Sequence, residues 1–334
     1  MPDDAPPLLR NEKTAGTIEV IMKIVCINVD VDPLICYYAI HGIKTSGISE
    51  DPIYLNGIKR FLELFDKNSI KGTFFITAHG FTEKNSEILR EIVRSGHEIA
   101  DHSFSHDYQL TRMTKEEIFQ EIKKNKDFLE ETVGIKCTGF RSPGYNSSAD
   151  LISVLRSVGY TYDSSLFPSI SYYIAKWLLI NLKKLSGHGS KSIISSFADA
   201  FGRYTPEFID KNVRDTKKEG TFVELPMTTL FPLANIPLIG TSIIAFPAFL
   251  LDLMLKISKK RTFINIEAHG IDLCGADESK HFDPLKGKQP DLAFSLERKL
   301  ERFQNVIDFY KDSGFEFKTL AEVAEMKLNG KLNN

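Results

Sequence analysis

Residues 97–106 read HEIADHSFSH. Ile99 and Ala100 form a short apolar run closed by Asp101, which reads as a buried strand. The chain passes from that strand straight into His102 and His106, four residues apart. Two imidazoles at that spacing face one side if the segment winds as a helical turn, and they can grip one divalent ion between them. Upstream, INVDVD (27–32) ends another apolar run, and strand alternation points Asp30 and Asp32 to one face. Two imidazoles and one carboxylate leave coordination positions open to water and substrate. That donor set suits a hydrolytic site better than a closed structural one, which usually takes four protein ligands.

Around these motifs the chain alternates strands and helices. KIVCINVD, from Lys23, reads as a buried strand, and 52–68 as an amphipathic helix with Pro52 in its first turn. GTFFITA, HEIAD, TGFRSP and YTYDSS read as further strands. They are separated by helices over 83–95, closed by Gly96, over 114–133, with Thr114 and Glu117 as a capping box, and over 148–158. Such alternation implies parallel βαβ units, and periodicity leaves a barrel and an open doubly wound sheet both possible. Asp30, Asp32, His102, Arg141 and His269 all fall at the C-terminal ends of strands, the end where a barrel assembles its active site.

The chain has 334 residues with a formal net charge of −2. That length fits one large α/β domain or two smaller ones, and the lack of basic excess argues against a nucleic-acid partner. Four scattered cysteines without CxxC spacing read as free thiols. The first 20 residues read as a flexible leader without the apolar core of a signal peptide, which points to the cytoplasm. Residues 21–334 then form a single domain with insertions at about 166–220 and 228–260. The apolar stretch 228–257 approaches the length of a membrane span, but Pro232, Pro237, Gly240, Pro247 and Asp252 interrupt it. It reads as packing over the mouth, or as a lobe that meets a membrane surface or lipid carrier.

Four motifs in order, INVDVD, HSFSH, GFRSPGY (139–145) and INIEAHGID (264–272), resemble those of the polysaccharide deacetylase family, also called the NodB-homology or family 4 carbohydrate esterases. The resemblance implies a distorted (β/α)7 barrel, here with an inserted apolar helical lobe. It also implies a metal-dependent hydrolase that removes an acetyl or formyl group from an N-acylated sugar, with a lipid-linked glycan precursor as one form of substrate. By the same resemblance Asp32, His102 and His106 hold one divalent ion, zinc foremost, with cobalt, nickel, manganese or iron as alternatives. Asp30 matches the base, Arg141 the arginine that holds it, and His269 the general acid. The residue after Pro143 donates a backbone N–H to the oxyanion; it is Gly144 here, where the family often has Tyr, and Tyr145 follows. Asp272 and Glu224 are the candidate partners of the His269 ring. Tyr37, Tyr38 and His41 fall on the first loop, as packing or as a sugar subsite. Two other functions compete: an allantoinase-like hydrolase of small amides, and a catalytically silent binding protein on the same fold.

Overall fold

The computed structural model describes residues 22–45, 48–185, 193–194, 197–209, 221–230 and 235–332; the leader expected over 1–20 lies outside them. Eleven strands occur there: β1 (Ile24–Val31), β2 (Thr73–Ile76), β3 (Glu98–Asp101), β4 (Gly139–Phe140), β5 (Tyr162–Asp163), β6 (Glu207–Phe208), β7 (Val223–Glu224), β8 (Thr229–Leu230), β9 (Ile236–Pro237), β10 (Phe263–His269) and β11 (Glu316–Phe317). Seven of them run parallel in the order β10-β1-β2-β3-β4-β5-β7. β6 lies antiparallel on the outside of β7, and β11 pairs with the start of β1.

The two ends of this curled sheet meet. Thr228, just past β7, donates its N–H to the Asn265 carbonyl at 2.9 Å, and Asn265 N–H returns to Thr228 Oγ1 at 2.8 Å. A parallel bridge between Ile239 and Glu267 adds to the join. Closure through a few bonds rather than a full strand pair is what makes this seven-stranded barrel distorted. β1 is buried along its whole length, as a strand flanked on both sides and covered by helices must be.

The helices form where the sequence predicts them. Lys115–Val133 carries the Thr114–Glu117 capping box and ends at Gly134 with φ 74°. The first connection differs, since Leu34–Ile40 is a helix rather than a loop. It buries Tyr37 and Tyr38 against Ile53, Ile271 and Phe282. Tyr38 donates its hydroxyl to the His281 carbonyl at 2.6 Å, and His41 pairs with Gln289 at 3.2 Å. These residues pack down.

The apolar stretch 228–257, of which 231–234 lie outside the described residues, buries one side and exposes the other. Helices Gly240–Ala245 and Ala248–Ser258 bury Ile243, Ile244, Leu251, Met254 and Leu255, and the first packs on helix Leu296–Asp312. Phe249 and Leu253 remain exposed. No described helix is long and apolar enough to cross a membrane.

Candidate active site

Parallel pairing gathers the strand ends at one mouth. The register of β1 and β10 sets Asn28 beside Glu267 and Asp30 beside His269. β3 lies two strands from β1 and delivers His102 immediately after Asp101.

The segment after β3 is not a helical turn. Ser103 and His106 adopt positive φ values of 64° and 55°. The buried Asp101 carboxylate organises the bend by accepting from Ser103 N–H (2.6 Å), Asn125 Nδ2 (2.9 Å) and the Tyr160 hydroxyl (2.5 Å). Burial pushes Asp101 up to about 7 despite these donors. A strained bend held by a buried network fixes two imidazoles whose ring centres are 5.0 Å apart more firmly than a free helical turn would.

One ligand atom from each of Asp32, His102 and His106 lies within 4.8 Å of the others, and all three residues are buried. Asp32 Oδ1 is 3.0 Å from His106 Nε2 and 3.6 Å from His102 Nε2; Asp30 Oδ2 is 3.8 Å from His102 Nε2. His102 Nδ1 meets the Arg141 carbonyl at 2.8 Å. A carbonyl only accepts, so the proton is on Nδ1 and the Nε2 lone pair faces the two carboxylates. Burial lowers the pKa of this ring despite both aspartates, which keeps it neutral. Asp30 Oδ2 is buried without a hydrogen-bond partner, and Asp32 Oδ1 faces both imidazoles. Lone pairs converging on one point fit a cation, and the orienting bond on the far imidazole nitrogen is the usual support of a metal-ligating histidine. Around His106, burial opposes charge but Asp32 outweighs it and lifts the ring to about 10. Asp32 itself is held below the usual carboxylate range by the three imidazoles, against its burial. Cys36 also hydrogen-bonds His106.

Arg141 is wholly buried. Its Nη1 donates to Asp30 Oδ1 at 2.6 Å, its Nε and Nη2 meet the Ser164 carbonyl and hydroxyl at 2.9 and 3.0 Å, and its guanidinium lies 4.1 Å from the Phe75 ring centre. A buried guanidinium needs such partners, and the arrangement leaves only Asp30 Oδ2 facing the mouth.

His269 keeps 29% of its side chain exposed, so a leaving group can reach it. Its Nδ1 lies 2.8 Å from Glu267 Oε1. Burial opposes protonation, but Glu267, with Asp32 and Asp30, holds the ring well above its ordinary value. The ring partner is therefore neither Asp272 nor Glu224. Asp272 Oδ2 accepts from the His269 backbone N–H at 2.8 Å, and Glu224 accepts from Leu166 N–H at 2.8 Å. Glu267 went unnoticed in the sequence. The available signal was the spacing E-A-H on one strand, since residues two apart share a face.

Gly144 adopts φ 65°, and a Cβ there would fall 2.4 Å from the Tyr108 ring. Tyr108 in turn lies edge-on to His106, at 5.3 Å between ring centres. So Tyr108 fills the space a tyrosine at 144 would need. Tyr145 meets Phe167 in a tilted contact at 5.0 Å and Tyr172 edge-on at 5.7 Å between ring centres, forming a second aromatic cluster.

These features define a class: a seven-stranded parallel barrel with a carboxylate–imidazole cluster and an arginine-braced aspartate at its mouth. The family model described as polysaccharide deacetylase matches residues 43–162, a part of the chain that holds β2, β3, β4 and the His102–His106 bend. It is 31% identical over 120 residues to a peptidoglycan deacetylase of Helicobacter pylori, covering 35% of this chain and 40% of that one. It is 27% identical over 190 residues to a peptidoglycan-N-acetylmuramic acid deacetylase of Bacillus subtilis, covering 53% and 68%. A crystal structure from Mycobacterium smegmatis that bears the polysaccharide deacetylase name aligns over 99% of this chain and 96% of its own with a TM-score of 0.56 at 18% identity, which shows the shared fold. The chain spans only about a quarter to two fifths of the length of the first curated relatives it matches.

Proposed function

We propose that this chain is a metal-dependent hydrolase that removes an N-acyl group, acetyl or formyl, from a sugar, and that residues 21–334 form its single catalytic domain. The observation that carries this reading is the His102 Nε2 lone pair converging with Asp30 Oδ2 and Asp32 Oδ1, opposite a histidine whose pKa Glu267 raises. Asp32, His102 and His106 would hold a divalent ion, zinc or a neighbour in the first-row series, which when bound acidifies a water and polarises the acyl carbonyl. Asp30, braced by Arg141 on one oxygen, accepts the proton of the attacking water on the other. The Gly144 backbone N–H receives negative charge developing on the carbonyl oxygen. His269 gives its proton to the departing sugar nitrogen, and Tyr108 and Tyr145 wall the mouth. Four free, buried cysteines suit a reducing compartment such as the cytoplasm.

If the sugar is carried on a lipid, the exposed apolar side chains best placed to meet it are Ile174, Trp177, Leu178 and Leu182. They lie on helix Ile170–Leu185, which follows the mouth end of β5; in the stretch 228–257 the exposed large hydrophobics are Phe249 and Leu253.

Metal analysis of the purified protein beside His102→Ala tests the site; we expect one divalent ion per chain, lost in the variant. Asp30→Asn should keep the ion yet lose at least roughly 100-fold in kcat on an N-acyl sugar, the scale of removing a general base. Turnover of small cyclic amides but of no N-acyl sugar would favour the allantoinase-like alternative. Binding without turnover of either would favour the silent one.

A further inference from the structure

Lys176 stands apart from every group used so far. It projects from the inner face of helix Ile170–Leu185 and is 8% exposed. Its Nζ donates to the Gly144 carbonyl at 2.9 Å and lies 5.3 Å from the Tyr172 ring centre. An ammonium carries three N–H donors, and among the described residues no carboxylate pairs with this one. Burial, unopposed by any neighbouring charge, lowers its pKa to about 8. The site lies next to the chemistry: Gly144 abuts Tyr108, and Tyr108 abuts His106. Two other buried cations have partners. Arg141 has Asp30 and Ser164, and Lys299 donates to the Cys274 carbonyl with Asp272 and Glu278 in its field. A sheltered ammonium with donors to spare costs stability unless something negative completes it.

Resting on the deacylase reading, we propose that Lys176 is a specificity-determining residue that binds an anionic group, phosphate or carboxylate, borne by the N-acyl sugar. The spare Nζ–H donors point the negative group to the rim beside Gly144, while the acyl carbon lies over Asp32, His102 and His106. A charge-assisted bond in a site shielded from water is strong enough to set a preference of about 10-fold or more. A lysine suits this role because it acts as a compact point charge toward either oxyanion.

The test compares N-acetylglucosamine 1-phosphate, N-acetylmuramic acid and neutral N-acetylglucosamine on the metal-loaded full chain. Equilibrium binding and kcat/KM are measured for wild type, Lys176→Met and Lys176→Arg. We expect wild type to prefer at least one anionic sugar over the neutral one by about 10-fold or more, through KM rather than kcat. The phosphate and carboxylate arms identify which anion is native. Lys176→Met should collapse the preference to within about twofold, and Lys176→Arg should retain most of it. Should Lys176→Met not fold, competition by inorganic phosphate against the neutral sugar in the wild type and in Lys176→Arg decides in its place. A wild type that treats all three sugars alike overturns the proposal. So does a Lys176→Met in which kcat falls equally for every sugar, because the lysine would then be only a strut for Gly144. Failure of the deacylase reading is separately visible: no N-acyl sugar would be turned over, whatever the binding preference.

Discussion

Glu267 and His269 carry the sharpest residue-scale consequence. A buried carboxylate at 2.8 Å from its Nδ1 favours the charged form of the His269 imidazole, and a general acid is active only while it holds its proton. A raised pKa means the acid survives to higher pH and is lost as pH climbs through the raised value. Glu267→Gln keeps the shape and a hydrogen bond but removes the charge. It should lower kcat roughly 10- to 100-fold, as loss of an orienting partner does at other imidazoles, and move the alkaline limb of the pH–rate profile toward neutrality. Metal content should not change. An unmoved alkaline limb would show that another group sets it. Neither effect was foreseeable from Asp272 or Glu224, because which acid meets a ring depends on the pleat and the register of β1 against β10.

At the scale of elements, strand, turn and helix each fix one part of the mouth. The bend 102–106 depends on Asp101, which is anchored by Asn125 from one helix and by Tyr160 ahead of β5. The junction between helix Glu83–Arg94 and β3 depends on His97, which accepts the Gly72 N–H on Nδ1 at 3.1 Å. Burial, helped by Lys71, lowers His97 from 6.5 to about 4. The unfolded chain therefore binds a proton that the folded one refuses between those values, so this contribution is present above about pH 6.5 and is lost as pH falls toward 4. His97→Gln can still accept from Gly72 and should flatten the acid-side loss of stability by up to about 2–3 kcal/mol. Denaturant melts of both proteins at pH 7 and pH 4.5 check this; parallel pH dependences would exclude His97 as the cause.

For the whole molecule, the division between interior and surface decides what the apolar helices are for. Ile244 is fully buried and Trp177 is 51% exposed, although both lie in apolar stretches. Ile244→Ser should cost about 3–5 kcal/mol through a cavity and a buried hydroxyl. Trp177→Ser should stay within about 0.5 kcal/mol of wild type but weaken association with phospholipid vesicles. Thermal melts and vesicle co-sedimentation separate the two effects. A wild type that ignores vesicles removes the lipid-carrier reading and leaves the barrel chemistry intact.

Most strands, most helices and the gathering of Asp30, Asp32, His102, Arg141 and His269 at strand C-terminal ends were legible in the chain itself. Apolar runs, capping residues and motif order are local signals, and parallel strands must deliver their C-terminal residues to one end. Barrel closure through Thr228 and Asn265, the pairing of Glu267 with His269, Tyr108 filling the space over Gly144 and the burial of Lys176 were not. Each joins residues far apart in the chain, or depends on strand register, and periodicity does not carry that information. The same limit explains the apolar stretch 228–257. Hydrophobicity marks it as something to be buried, but only tertiary packing shows whether the cover is the protein's own core or a membrane.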